Sequence, residues 1–158
     1  MQLKPSILIV DDEPINLKLV AESLESEYQL HFALSAQEGL DFLKKNMVDL
    51  ILLDIIMPDM NGFDMAKAVQ DMNTGSKIPF IFLTADHSDE TIERAFDAGA
   101  IDYIAKPFRS RELMARVKHA IQLELLIRKQ QNLLAYNQHL MRIVDGYATN
   151  NAGNTEDE

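Results

Sequence analysis

Leu50, Ile51, Leu52 and Leu53 form an unbroken apolar run between Asp49 and Asp54. A run this short, with no polar alternation, suits a strand buried on both faces, as in a parallel sheet covered by helices. A carboxylate where that strand ends stands at the carboxyl edge of the sheet, the edge at which open α/β folds bind ligands. Pro58 and Asn61-Gly62 then enforce a loop before the next helix. Taken alone, Asp54 reads equally well as a solvated aspartate that ends a strand. Its weight comes from what the rest of the chain sets beside it.

Ser6 to Val10 is a first short β-rich run, followed at once by Asp11-Asp12-Glu13. Pro14 suits the first turn of a helix, where its missing N–H is no loss. Leu17, Val20, Ala21 and Leu24 share one face of that helix. Tyr28 to Ala33 reads as the second strand. Ser35 with Glu38 has capping-box spacing for a second helix, carried by Gly39, Leu40, Leu43 and Met47. Phe63 to Met72 reads as a third helix and Asn73 to Ser76 as a turn. Pro79 to Leu83 is the fourth strand, with proline confined to its start, and Thr84 follows. Ser88 or Asp89 caps a fourth helix that Gly99 closes. Ile101 to Ala105 is the fifth strand and runs into Lys106-Pro107-Phe108. Five strands alternating with helices predict right-handed crossovers and a parallel sheet wrapped on both sides.

Ser110 caps a last helix whose apolar positions continue past a single face. Leu126, Leu133, Leu140 and Tyr147 recur every seven residues, with Leu123, Gln130, Asn137 and Val144 as the companion seam. Ile127, Leu134 and Met141 widen the stripe. No Gly or Pro interrupts residues 109–145, and Gly146 sets an expected end near Tyr147. Polar Gln130 and Asn137 on the seam favour a coiled coil over a helix folded back on its own domain, because a polar seam residue specifies register and partner number. Residues 148–158 are small and polar and are expected to be disordered.

The composition excludes several classes. The net charge of −10 opposes general phosphate-backbone binding. The acidity is concentrated: residues 1–108 carry 19 Asp/Glu against 8 Lys/Arg. The last helix lacks a second helix unit and a concentrated basic run, so no direct nucleic-acid contact is expected. Cysteine is absent, which removes disulfides and thiolate metal sites. No run reaches the roughly 18 apolar residues of a membrane span, and the start lacks the apolar stretch of a signal peptide, so a cytoplasmic protein without membrane insertion is expected.

In a parallel sheet the polar strand ends Asp11-Asp12, Asp54, Thr84 and Lys106 share one edge. Three carboxylates brought together repel and call for a cation. An oxygen-only donor set favours Mg²⁺ or Mn²⁺. An ammonium and a hydroxyl beside one carboxylate complete a site for phosphoryl transfer to that carboxylate. Asp59 reads as a plain loop carboxylate. The four histidines, His31, His87, His119 and His139, are scattered, and the eight methionines read as core filler.

Four fragments in this order and spacing, Ile-Leu-Ile-Val-Asp-Asp-Glu, Asp-Ile-Ile-Met-Pro-Asp-Met-Asn-Gly-Phe, Leu-Thr-Ala and Asp-Tyr-Ile-Ala-Lys-Pro-Phe, give the chain its resemblance. Over residues 5–122 it resembles a CheY-like receiver domain of two-component response regulators. The resemblance implies a flavodoxin-like sheet of order 2-1-3-4-5 and Asp54 as acceptor of a phosphoryl group. The donor would be a histidine kinase's phosphohistidine or a phosphotransfer protein. It implies Mg²⁺ held by Asp12 directly, by Asp11 chiefly through water, by Asp54 and by the backbone carbonyl of Ile56. Thr84 and Lys106 would hold the phosphoryl oxygens, Tyr103 would be the switch aromatic, and the Lys106–Pro107 bond would be cis. Ile56 and Asp86 match positions that tune phosphoryl lifetime. Residues 123–147 are then a helical extension, expected to pair a homodimer or meet a downstream effector. The helix would itself be the output, or an effector would follow it. An aspartyl-phosphate phosphatase fits poorly, since Ile56 stands where such enzymes place an acid. A flavin carrier fits poorly too, since Asp11-Asp12-Glu13 repels a phosphate. A phosphorylation-independent adaptor leaves the complete acidic set without a purpose.

Overall fold

The computed structural model describes residues 3–72 and 77–153 of the chain. Its elements follow in the order β1 (Ser6–Val10), α1 (Pro14–Leu24), β2 (Gln29–Ala33), α2 (Ala36–Lys45) and β3 (Leu50–Asp54). They continue as α3 (Gly62–Asp71), β4 (Phe80–Thr84), α4 (Asp89–Asp97), β5 (Asp102–Ala105) and α5 (Ser110–Ala152). All strand pairings are parallel and the sheet order is β2-β1-β3-β4-β5. The fold is therefore the parallel sheet wrapped on both sides that the strand pattern predicts, in the flavodoxin-like order that the resemblance implies.

Successive side chains of a strand point to opposite faces, and both faces here are apolar. Leu8, Val10, Ile51, Leu53 and Phe82 pack with Leu40 and Leu43 of α2 and with Met65 of α3. Ile7, Ile9, Leu50, Leu52 and Leu83 pack on the other face with Val20 and Leu24 of α1 and with Leu113 and Val117 of α5. That two-sided burial is why β3 and β4 are apolar up to their last residue rather than alternating.

Local signals set the boundaries. Ser35, Asn61 and Ser88 each cap a helix by accepting from the N–H of Glu38, Asp64 and Thr91. Gly99 follows α4 at φ +94°, a conformation that glycine reaches without a side-chain clash. Met47 does not belong to α2: the helix ends at Lys45, Asn46 is extended, and Met47 is exposed. The expected turn at 73–76 lies outside the described residues.

The chain divides into two units, residues 1–121 and 122–158. In the second, the helix continues through Gly146 to Ala152. Residues 148–152 are therefore helical rather than disordered, and Tyr147 lies inside the helix. A helical glycine costs about 1 kcal/mol relative to alanine, which weakens a helix without ending it. Residues 154–158 lie outside the described residues. No residue from Gln122 to Gly153 is buried. Among the described residues no helix is long and apolar enough to cross a membrane.

Candidate functional site

The carboxyl edge of the sheet gathers most of the polar residues singled out in the sequence. Asp11 follows β1, Asp54 ends β3, Thr84 ends β4 and Lys106 follows β5. The sheet register holds these ends level, with Val10 beside Leu53, Asp54 beside Leu83 and Thr84 beside Ala105. Backbone bonds extend the ladder past the strand ends: Asp11 N–H donates to Ala33 (3.1 Å) and Lys106 N–H to Thr84 (2.7 Å). Asp11, Asp54 and Thr84 are buried, and Asp12 is half-buried.

One carboxylate oxygen from each of Asp11, Asp12 and Asp54 lies within 4.8 Å of the others. Among the described residues this is the group of acidic or histidine side chains able to hold an ion, and no histidine belongs to it. The Lys106 ammonium reaches into the group, 2.8 Å from Asp11 Oδ2 and 3.3 Å from Asp54 Oδ2. Burial pushes the Asp54 carboxyl up to about 6, with the Asp11 charge adding to it and Lys106 opposing. Burial also works against the Lys106 charge, but its bonds to Asp11 and the charge on Asp54 win, and its pKa rises. One ammonium among three carboxylates leaves a net negative, oxygen-only site, which fits a divalent cation such as Mg²⁺.

The loop after β3 is held at both ends. Gly62 N–H donates to the Ile55 carbonyl at 2.7 Å. A Cβ on Gly62 would press into the Asp54 carbonyl oxygen and approach Ile55 Cα to 2.9 Å, and neither backbone atom can step aside. Gly62→Ala is expected to lower stability by roughly 2 kcal/mol, as overpacking does. A urea melt reads the change, and an unaltered midpoint would contradict the contact.

The loop's other anchor has no signature in the sequence. Asp59 is more than a loop carboxylate: it accepts from the N–H groups of Gln37 (3.1 Å) and Ala36 (3.4 Å) at the start of α2. Desolvation is the largest single influence and opposes these bonds, yet together the backbone bonds hold its pKa below the ordinary value. A cap from 22 residues away leaves no local pattern to read. The Arg116 pair with Asp102, at 2.9 Å, is likewise invisible in the sequence.

Two predicted residues are held by partners other than the carboxylates. The Thr84 hydroxyl donates to the Asp86 carbonyl and accepts from the Asp86 N–H, both at 3.0 Å. Tyr103 is half-buried, its ring edge-on to Phe96 with centroids 6.0 Å apart. The Ile56 side chain is exposed, and its N–H donates weakly to Asp54 Oδ1 at 3.4 Å. The Lys106–Pro107 peptide bond is cis.

Residues 7–118 match the response regulator receiver domain. The chain belongs to that family. A heme response regulator, HssR, of Staphylococcus epidermidis is 38% identical to this receiver over 153 residues, spanning 94% of this chain and 67% of its own. The transcriptional regulatory protein YvrH of Bacillus subtilis is 42% identical over 115 residues, which cover 72% of this chain and 47% of YvrH. A solved CheY-like receiver domain protein from Methanospirillum hungatei superposes with a TM-score of 0.70 at 33% identity, covering 78% of this chain and 97% of that one. The receiver is thus a two-component response regulator by family, and it spans from about half to two thirds of these curated relatives.

Proposed function

We propose that this receiver accepts a phosphoryl group on Asp54 and thereby switches contacts made by its last helices. The observation that carries the reading is the convergence of Asp11, Asp12 and Asp54 with the Lys106 ammonium set against Asp54. The receiver acts in the cytoplasm, and the donor is the phosphohistidine of a sensor histidine kinase or a phosphotransfer protein, in keeping with the family's chemistry. An Asp54 carboxylate oxygen attacks phosphorus, the P–N bond breaks as the P–O bond forms, and the imidazole leaves with the electron pair.

Asp12, Asp11, Asp54 and the Ile56 carbonyl are the groups that would hold Mg²⁺ (Mn²⁺ has the same ligand chemistry). When bound, the cation offsets carboxylate repulsion and the charge of the phosphoryl oxygens. Lys106 supplies a second positive charge to those oxygens from a fixed position. Thr84 reaches the same oxygens only by releasing Asp86, and that release frees room for Tyr103 to turn inward. The change at the sheet edge then passes to α4, β5 and α5. The extension carries the output, as a homodimer contact or toward an effector.

The test is chemical. Incubation with a small phosphodonor and Mg²⁺ is expected to label the protein at an acid-labile site, and Asp54→Asn is expected to abolish that label. Full labelling of the variant would move the acceptor elsewhere.

A further inference from the structure

We infer that residues 123–147 pair with the same segment of a second copy as a parallel, two-stranded coiled coil in unslipped register, with Gln130 facing Gln130 and Asn137 facing Asn137. The inference rests on the proposed dimeric output and adds orientation, register and strand number to it.

Leu126, Leu133, Leu140 and Tyr147 lie seven apart on one uninterrupted helix and are 41% to 70% exposed. Four large apolar side chains in one line are the d seam of a heptad, and the a seam is Leu123, Gln130, Asn137 and Val144. The occupant follows from the two amides. A carboxamide offers both donors and an acceptor, so two identical ones facing each other exchange N–H···O bonds. In a parallel pair, a meets a, and each amide finds its own copy. In an antiparallel pair, a meets d, and each amide is pressed against Leu126, Leu133, Leu140 or Tyr147. A buried amide without a partner carries the full cost of its desolvation, here four times per dimer.

Register follows by the same comparison. A slip of one heptad keeps one kind of amide layer, Gln130 on Asn137, but sets Gln130 of one strand against Leu123 and Asn137 of the other against Val144. A slip of two heptads leaves every amide against an apolar residue or outside the pair. Only the unslipped arrangement satisfies both positions. A single buried polar a residue also selects two strands over three. Ile127, Leu134 and Met141 at e then shield the edges of the seam. Parallel pairing places the Ala152 ends of both helices side by side.

The test uses the full chain, which has no native cysteine. Leu133→Cys puts one thiol on the d seam, where parallel, registered strands bring it against its own copy. Mass is read by light scattering, and disulfide yield in a glutathione buffer. A dimer that forms the disulfide between its two substituted 133 positions nearly completely is the expected result. Mixing Leu126→Cys with Leu133→Cys chains is expected to give same-site pairs and almost no mixed disulfide. Gln130→Leu and Asn137→Leu together, added to both, are expected to raise the mixed product several-fold, because no amide is then left to oppose a one-heptad slip. A dimer that fails to form the same-site disulfide overturns the parallel arrangement while leaving dimerisation standing. A monomer or a trimer overturns the inference at its base.

Discussion

Asp54→Asn is expected to stabilise the metal-free protein at neutral pH by about 1–3 kcal/mol, because the raised carboxyl pKa is itself a stability cost of about 1.4 kcal/mol per unit. The folded carboxyl titrates near 6 against an ordinary value of 3.8. Between those values the folded state holds more protons than the unfolded one, so stability falls as pH rises through the window. Above it the full cost is present, and below it the cost vanishes. The variant should lose this decline while matching the wild type near pH 4. Guanidinium melts across pH 4–8 without divalent cations read both effects. Mg²⁺ narrows the difference. It stabilises the wild type by mass action, roughly 1.4 kcal/mol at tenfold excess over its dissociation constant, and the variant gains far less. A variant no more stable than the wild type at pH 7 in chelator would mean that Asp54 is better solvated than its burial implies.

The sign of that effect bears on how much of the site is readable from residues alone. The apolar runs ending in Asp11, Asp54 and Thr84 are legible because two-sided burial leaves a strand no polar position except its ends. Once the sheet is parallel, those ends must meet at one edge. What stays hidden depends on contacts between distant segments. Asp59 caps α2 from the β3–α3 loop, and Arg116 reaches Asp102 across 14 residues. Thr84 illustrates a different limit. Its place at the edge is readable, but its hydroxyl being tied to the Asp86 backbone depends on a turn that no pattern specifies. Met47 and Gly146 mislead for the reverse reason. Helical spacing at Met47 is accidental once Asn46 leaves the helix. Glycine at 146 lowers helix propensity without supplying the left-handed residue that ends a helix.

Lys106→Met is expected to have the opposite effect on the metal-free protein and a larger one, a loss of about 3–5 kcal/mol, as when one partner of a buried ion pair is removed. The ammonium lies between Asp11, which is fully buried, and Asp54. Its removal leaves their carboxylates facing each other in a site that already disfavours charge. Mg²⁺ then becomes the remaining source of positive charge. The variant should bind it more tightly and show a larger Mg²⁺-induced rise in melting temperature than the wild type. Phosphoryl labelling should still fall, because Lys106 also serves the phosphoryl oxygens in the proposed reaction. The two substitutions share one electrostatic origin and should not add. In the Lys106→Met background, Asp54→Asn removes a carboxylate that has lost its ammonium and keeps only repulsion from Asp11. It should therefore recover more stability there than it adds to the wild type, by roughly 1–2 kcal/mol in a double-mutant cycle. Strict additivity would mean that Lys106 and Asp54 do not sense each other's charge, and the electrostatic account of this sheet edge would fail with it.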